Sequence, residues 1–178
     1  RPDMYIGDRG TNGLHHLVYE VLDNSIDEAM GGFCDGIIVR ILADGSCLVE
    51  DNGRGIPVEM HEEAQMSALE VVLCTLHAGG KFDKGSGGAY SFSGGLHGVG
   101  VSVTNALSKR MEVTSYREGQ AAHLVFQGGD VIEKLKLRKA ENGDRKQGTF
   151  VRVWPDAKYF ESSVLPLNEL VHLLRSKA

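Results

Sequence analysis

Four short segments, far apart in the chain, carry residue types whose spacing suits chemistry on a phosphorylated ligand. Glu20 and Asn24 lie one turn apart if their segment is helical. A carboxylate at that spacing can hold a water while the carboxamide oxygen binds a metal. Magnesium prefers oxygen ligands and takes only one or two protein groups where phosphates supply the rest. Asp27 and Glu28 extend the same polar side, and the whole set equally fits a solvated helix face. Asp51-Asn52-Gly53-Arg54-Gly55-Ile56-Pro57 follows a strand pattern. A carboxylate at a strand end can accept the amino group of adenine, and glycines let the base approach the backbone; an Asp-Gly turn closing a strand is the plainer alternative. Gly94-Gly95-Leu96-His97-Gly98-Val99-Gly100 leads into an apolar segment, where backbone N–H groups at a helix start can bind phosphate oxygens. Gly148-Thr149 supplies a back wall. Together the four segments predict an ATP site.

That glycine-rich run is not a Walker A loop, since the one Gly-Lys pair, Gly80-Lys81, is followed by Phe82 rather than Ser or Thr. It also lacks the G-x-G-x-x-G order of a dinucleotide fingerprint. His97 invites a catalytic role, but shaping the loop is the reading preferred for it. Lys81 can reach a phosphate as a point charge, or be a surface lysine. His15-His16 have no histidine partner four residues on, and the histidines suggest no metal cluster. Cys34, Cys47 and Cys74 are odd in number and form no C-x-x-C, which argues against a disulfide framework or a zinc knuckle and fits a reducing cytoplasm.

These groups need elements to hold them. Leu14, Leu17, Val18, Val21, Leu22, Ile26 and Ala29 recur at steps of three and four, predicting a helix over 14–30 that Gly31-Gly32 ends. His16, Glu20, Asn24, Asp27 and Glu28 fall on one flanking arc of it. Strands are predicted over 37–42 and 47–50 around an Asp44-Gly45 turn, then a helix over 67–77. Residues 78–100 hold nine glycines, and a long loop of this kind inside a compact domain is usually functional. A helix over 98–107 follows. Alternating patterns over 111–116, 123–126, 131–137 and 149–154 predict an antiparallel meander with turns at 119, 128–129 and 143. A last amphipathic helix covers 167–174. The expected class is α+β: a two-layer sandwich of helices on one face of a mixed, mostly antiparallel sheet.

At 178 residues, 42% apolar and 24% charged, the chain is long enough for one domain with a real core. A net charge of −5 gives no basic face in composition, so strong DNA binding by this chain alone is not expected. The basic stretch over 134–139 and Arg145-Lys146 reads as a solvated hairpin. No apolar run approaches a membrane span, and no signal peptide is visible. The abrupt start at Arg1-Pro2-Asp3 suggests an excised fragment.

The segments Glu20…Asp23-Asn24…Asp27-Glu28, Asp51-x-Gly-x-Gly55 and Gly95-x-x-Gly98-x-Gly100 resemble the three ATP motifs of the GHKL superfamily, with its Bergerat fold. Further strings resemble only the ATPase subunits of bacterial type IIA topoisomerases. These are Arg1-Pro-Asp-Met-Tyr-Ile-Gly7, Leu76-His-Ala-Gly-Gly-Lys-Phe82, Ser93-Gly-Gly-Leu-His-Gly-Val-Gly100 and Gly148-Thr-Phe-Val-Arg-Val-Trp-Pro155. The likeness runs nearly the whole length and points to the N-terminal ATPase subdomain of the ATPase subunit in the DNA gyrase and topoisomerase IV group. Strings leaning to gyrase and to topoisomerase IV both occur. The rival class is another GHKL ATP-gated clamp or chaperone such as MutL or Hsp90, which lacks the H-A-G-G-K-F and S-G-G-L-H-G-V-G strings.

The resemblance implies roles by matching position. Glu20 would be the general base and His16 would orient it; Asn24 would bind Mg²⁺. Asp51 would hold the adenine amino group, with Thr149 helping through a water. Gly55 belongs to the adenine motif, and Val21, Val49, Ile56 and Val151 would line the adenine pocket. Lys81, Tyr90, Gly95, Leu96, His97, Gly98, Val99 and Gly100 would close over the triphosphate. Arg54, Pro57 and Arg117 would form the rim that meets aminocoumarin-type inhibitors. The partners implied are DNA in the full complex, the DNA-cleaving subunit with its cleavage tyrosine, and a second copy of the ATPase subunit in a homodimer. The family's second domain with its γ-phosphate lysine, and its exchanging N-terminal arm, are not in this sequence. The expectation is therefore a monomeric fragment that hydrolyses ATP slowly or not at all. Residues 84–89 are longer and richer in glycine than the family pattern before its lid tyrosine.

Overall fold

The computed structural model describes residues 10–61, 66–74, 100–161, 165 and 167–177. Helix α1 spans Thr11–Met30 and buries Leu14, Leu17, Val18, Val21 and Leu22 of the expected stripe, while Ile26 is half-buried and Ala29, near the helix end, is exposed. Its end is a Schellman closure: Phe33 N–H donates to Glu28 O and Gly32 N–H to Ala29 O, with Gly32 at φ 78°. The chain then runs through β1 (Ile37–Ile41), β2 (Cys47–Asp51), β3 (Met60–His61), β4 (Met66–Ser67) and α2 (Ala68–Cys74). After α3 (Gly100–Ala106) come β5 (Ser108–Arg117), β6 (Gln120–Gln127), β7 (Asp130–Lys139), β8 (Gly148–Pro155) and α4 (Leu167–Lys177).

Six strands form one sheet in the order β1-β2-β8-β5-β6-β7, and β3 and β4 pair separately. Every pairing among the described strands is antiparallel, so the sheet is simpler than the mixed one expected. Two-residue turns join β5 to β6 and β6 to β7. Both central residues have positive φ (Glu118-Gly119 and Gly128-Gly129), the twist that tight hairpins favour. The last strand, β8, inserts between β2 and β5, which brings residue 149 beside residue 51.

The helices cover one face. One core joins Leu14, Leu17, Val21 and Leu22 of α1 to Val49, Val113, Leu124, Phe126, Val151 and Val153 of the sheet. Two buried polar side chains fix α3: Thr104 Oγ1 donates to Leu17 O (3.2 Å) and Asn105 Nδ2 to Leu73 O (3.1 Å), tying it to α1 and α2. Helix α2 starts on a reciprocal cap, Ser67 Oγ to Glu70 Oε2 (2.8 Å) and Glu70 N to Ser67 Oγ (3.2 Å). The helix expected over 67–77 is seen as 68–74, with 75–77 outside the described residues. The helix expected over 98–107 is seen as Gly100–Ala106, with 98 and 99 outside them.

Candidate functional site

Asp51, the last residue of β2, is 1% exposed and accepts three hydrogen bonds from the described residues. Ser25 Oγ donates to Oδ2 (2.7 Å), while Gly53 N–H (3.0 Å) and Thr149 N–H (3.1 Å) both donate to Oδ1. Burial pushes its carboxyl above the usual range, the three hydrogen bonds pull the other way, and nearby Glu28 adds to the rise. A buried carboxylate carries about four acceptor positions, so three internal donors leave one on Oδ2 for an outside N–H. Strand β2, helix α1 and strand β8 each contribute one part of this arrangement.

Two glycines make the surrounding backbone possible. Gly55 has φ 78°, and a Cβ there would lie 2.5 Å from Tyr116 O on β5. Gly148 has φ 127°, and a Cβ there would collide with Asp51 O. The 53–56 segment is tied to β5 by Ser115 Oγ donating to Ile56 O (2.7 Å) and Arg117 Nη1 to Gly55 O (3.3 Å).

Val21, Val49, Ile56 and Val151 are all buried and belong to the main core, and Val49 pairs directly with Val151 across β2 and β8. The candidate apolar floor is therefore the domain core itself, built on rigid elements. On α1, Asn24 is buried, and its amide makes no hydrogen bond among the described residues. An uncommitted amide oxygen beside Ser25 fits a hard cation that takes its remaining ligands from phosphate and water. His16 and Glu20, one turn apart, are partly exposed, and His16 meets Tyr19 edge-on at 6.1 Å. Among the described residues no cluster of three or more His, Cys, Asp or Glu could hold a metal by itself.

Glu28, expected on the same arc, is committed to Arg54. Its carboxylate accepts from Arg54 N (2.8 Å), Nε (3.2 Å) and Nη2 (2.7 Å). The Arg54 guanidinium also stacks 3.7 Å above the Phe33 ring. Arg54, Pro57 and Arg117 are all partly exposed, and Arg54 and Arg117 are both bonded to the 53–56 segment or its anchor. Gly100 opens α3 with φ 55°. Lys81, Tyr90, Gly95, Leu96, His97, Gly98 and Val99 lie outside the described residues.

Three residues at this site escaped the sequence. Ser25 lies within the predicted helix without an assigned role, and nothing local signals a bond to a carboxylate 26 positions away. Arg145, expected in a solvated hairpin, bonds instead to Glu50 Oε2 (2.5 Å) and to Asp51 O (3.3 Å). Gln147 Nε2 donates to Asn52 O (3.1 Å).

Among the described residues no helix is long and apolar enough to cross a membrane. The family described as histidine kinase-, DNA gyrase B-, and HSP90-like ATPase matches residues 10–159. The DNA gyrase B protein of Campylobacter jejuni is 55% identical over 90% of this chain and 20% of its own length. That of Chlamydia muridarum is 51% identical over 100% of this chain and 22% of its own. The chain thus spans about a fifth of the length of the curated relatives it matches. A crystal structure of the 43K ATPase domain of Thermus thermophilus gyrase B in complex with an aminocoumarin superposes with a TM-score of 0.84 at 39% identity. The match covers 100% of this chain and 43% of the other. With a family match across its sheet and first three helices, and a like fold in a gyrase B ATPase domain, this chain belongs to the histidine kinase-, DNA gyrase B- and HSP90-like ATPases.

Proposed function

We propose that this domain binds ATP with Mg²⁺ and supplies the ATP-hydrolysing step of a type IIA DNA topoisomerase, as part of an ATPase subunit of the gyrase B type. The observation that carries the reading is the buried Asp51 carboxylate, held by donors from α1, from β8 and from the loop after β2, with one acceptor position left over among the described contacts. Adenine fits that position: its amino group donates to Oδ2 while its ring lies against Val21, Val49, Ile56 and Val151. Thr149, whose backbone already holds Asp51, contributes its hydroxyl through a water.

The phosphates then lie toward Asn24 and the start of α3. Mg²⁺, held by the Asn24 amide oxygen, would supply charge neutralisation at the phosphate oxygens. Glu20, on the same rigid helix, takes the proton of the attacking water, and His16 one turn earlier orients it. Phosphoryl transfer needs positioning and electrostatics more than covalent help, and a base on a helix fixed by the core supplies positioning. Lys81, Tyr90 and the run from Gly95 through Leu96, His97, Gly98 and Val99 to Gly100 close over the triphosphate. Arg54, Pro57 and Arg117 form the rim that an aminocoumarin would touch, in keeping with the ligand of the Thermus relative.

In the whole protein, ATP binding would close a dimer of ATPase subunits, and hydrolysis would reset it. Strand passage would be completed with DNA and with the DNA-cleaving subunit that carries the cleavage tyrosine. A cytoplasmic location belongs to the same reading.

Calorimetric titration with a non-hydrolysable ATP analogue and Mg²⁺, beside the Asp51→Ala variant, tests the site. Binding that disappears in the variant supports the adenine contact. Binding that persists unchanged would place the base elsewhere and sink the residue roles above.

A further inference from the structure

The β2–β8 ladder ends at Glu50↔Phe150, one pair short of the carboxylate that matters. Beyond it, Thr149 N–H turns to the Asp51 side chain, which leaves the backbone carbonyls of residues 51 and 52 without a strand partner on that side. Two side chains from the 140–147 loop take over. Arg145 Nη1 donates to Asp51 O (3.3 Å), and Gln147 Nε2 donates to Asn52 O (3.1 Å). The Arg145 fork is itself anchored, because Nη2 bonds Glu50 Oε2 (2.5 Å), and the same carboxylate is held from β1 by Arg40 Nη1 (3.3 Å). Glu50 is thus gripped from both sides, and Arg145 passes that grip to the next residue's carbonyl.

We propose that Arg145, with Gln147 beside it, is a positioning residue for adenine recognition. By replacing the missing ladder bonds it sets the backbone of Asp51 and so the direction of the free Oδ2 acceptor position. The inference rests on the reading of Asp51 as the adenine acceptor. A lysine cannot do the same work, since its point charge cannot bond the Glu50 carboxylate and the Asp51 carbonyl along two fixed directions. The Arg145 side chain is 37% exposed and lies outside the core, so its removal leaves the packing of α1 on the sheet intact.

The test compares ATP with the triphosphate of purine riboside, which lacks the 6-amino group, in the full-length protein carrying this domain. Arg145→Ala is expected to weaken ATP binding and raise its KM about three- to tenfold with kcat unchanged, the scale of one misdirected hydrogen bond. The desamino analogue should bind Arg145→Ala as it binds the unaltered protein. Arg145→Lys should recover only part of the loss, and Gln147→Ala should shift the ratio of the two affinities the same way by less. Equal weakening of both nucleotides, or of neither, would overturn the inference and leave the adenine reading standing. Asp51→Asn serves as the control: if it too leaves the ratio unchanged, the adenine reading itself falls, and the role of Arg145 with it.

Discussion

Asp51 is a carboxylate placed where its charge is costly. Its folded pKa is raised, so the fold favours the protonated form. This contribution to stability is fully present below the unfolded pKa and is lost as pH rises through the folded one. Asp51→Asn, which keeps an acceptor for Gly53 and Thr149, should therefore be more thermostable than the parent at neutral pH. The gain should shrink as the pH falls through the raised Asp51 pKa, which melting curves across acid pH would check. The same variant should bind ATP about ten- to a hundredfold more weakly, the loss of one charge-assisted contact. In the parent, ATP affinity should fall as Asp51 protonates, with a midpoint above the ordinary carboxylate range. Glu20→Ala in the full-length protein should keep nucleotide affinity and lower kcat by about 10² to 10⁴, the usual range for a general base. Turnover that survives this change would remove Glu20 from the mechanism. Asp51 stood out in the sequence because Asp-x-Gly-x-Gly follows a strand pattern in the company of three other segments that suit the same ligand. Ser25 and Arg145 did not, since their partners are 26 and 94 or 95 positions away and no short-range signal encodes them.

The elements that hold these residues were more legible than the bonds between them. A seven-residue apolar stripe marked α1, and period-two alternation marked β5, β6 and β8, because packing against one core leaves a periodic trace. The order in which strands pair leaves none: β8 lies between β2 and β5 although the chain makes it last. That insertion is what creates the site, and the glycines around it are its weak points. Gly55→Ala must move either its own φ of 78° or the β5 carbonyl 2.5 Å from the new Cβ. We expect a loss of about 2 kcal/mol or more in urea unfolding, together with loss of nucleotide binding. Leu17→Ala, at a fully buried point of α1, should cost about 3 kcal/mol. Because Leu17 also offers its carbonyl to Thr104 of α3, that variant reports on whether α1 and α3 respond together.

For the whole molecule, the charge balance is the first constraint. At −5 overall, the chain has little to offer a phosphate backbone, and several of its arginines are already committed to carboxylates. Gel-shift titration of this chain with duplex DNA at about 0.15 M salt should show no retention, since counterion release drives such binding. Retention at that salt would mean that an uncommitted basic surface exists and that DNA contact does not wait for the rest of the full-length protein. The three donors to Asp51 have another consequence, felt while the polypeptide is being made. They come from residues 25, 53 and 149, the last of them 98 positions after the acceptor. A chain emerging from the ribosome can form α1 and the β1–β2 hairpin early, yet the carboxylate keeps an incomplete set of partners until β8 has left the exit tunnel and slid between β2 and β5. Nucleotide capture is thus a late event in biosynthesis, and a truncated nascent chain ending before residue 149 would carry most of the pocket's residues without the pocket.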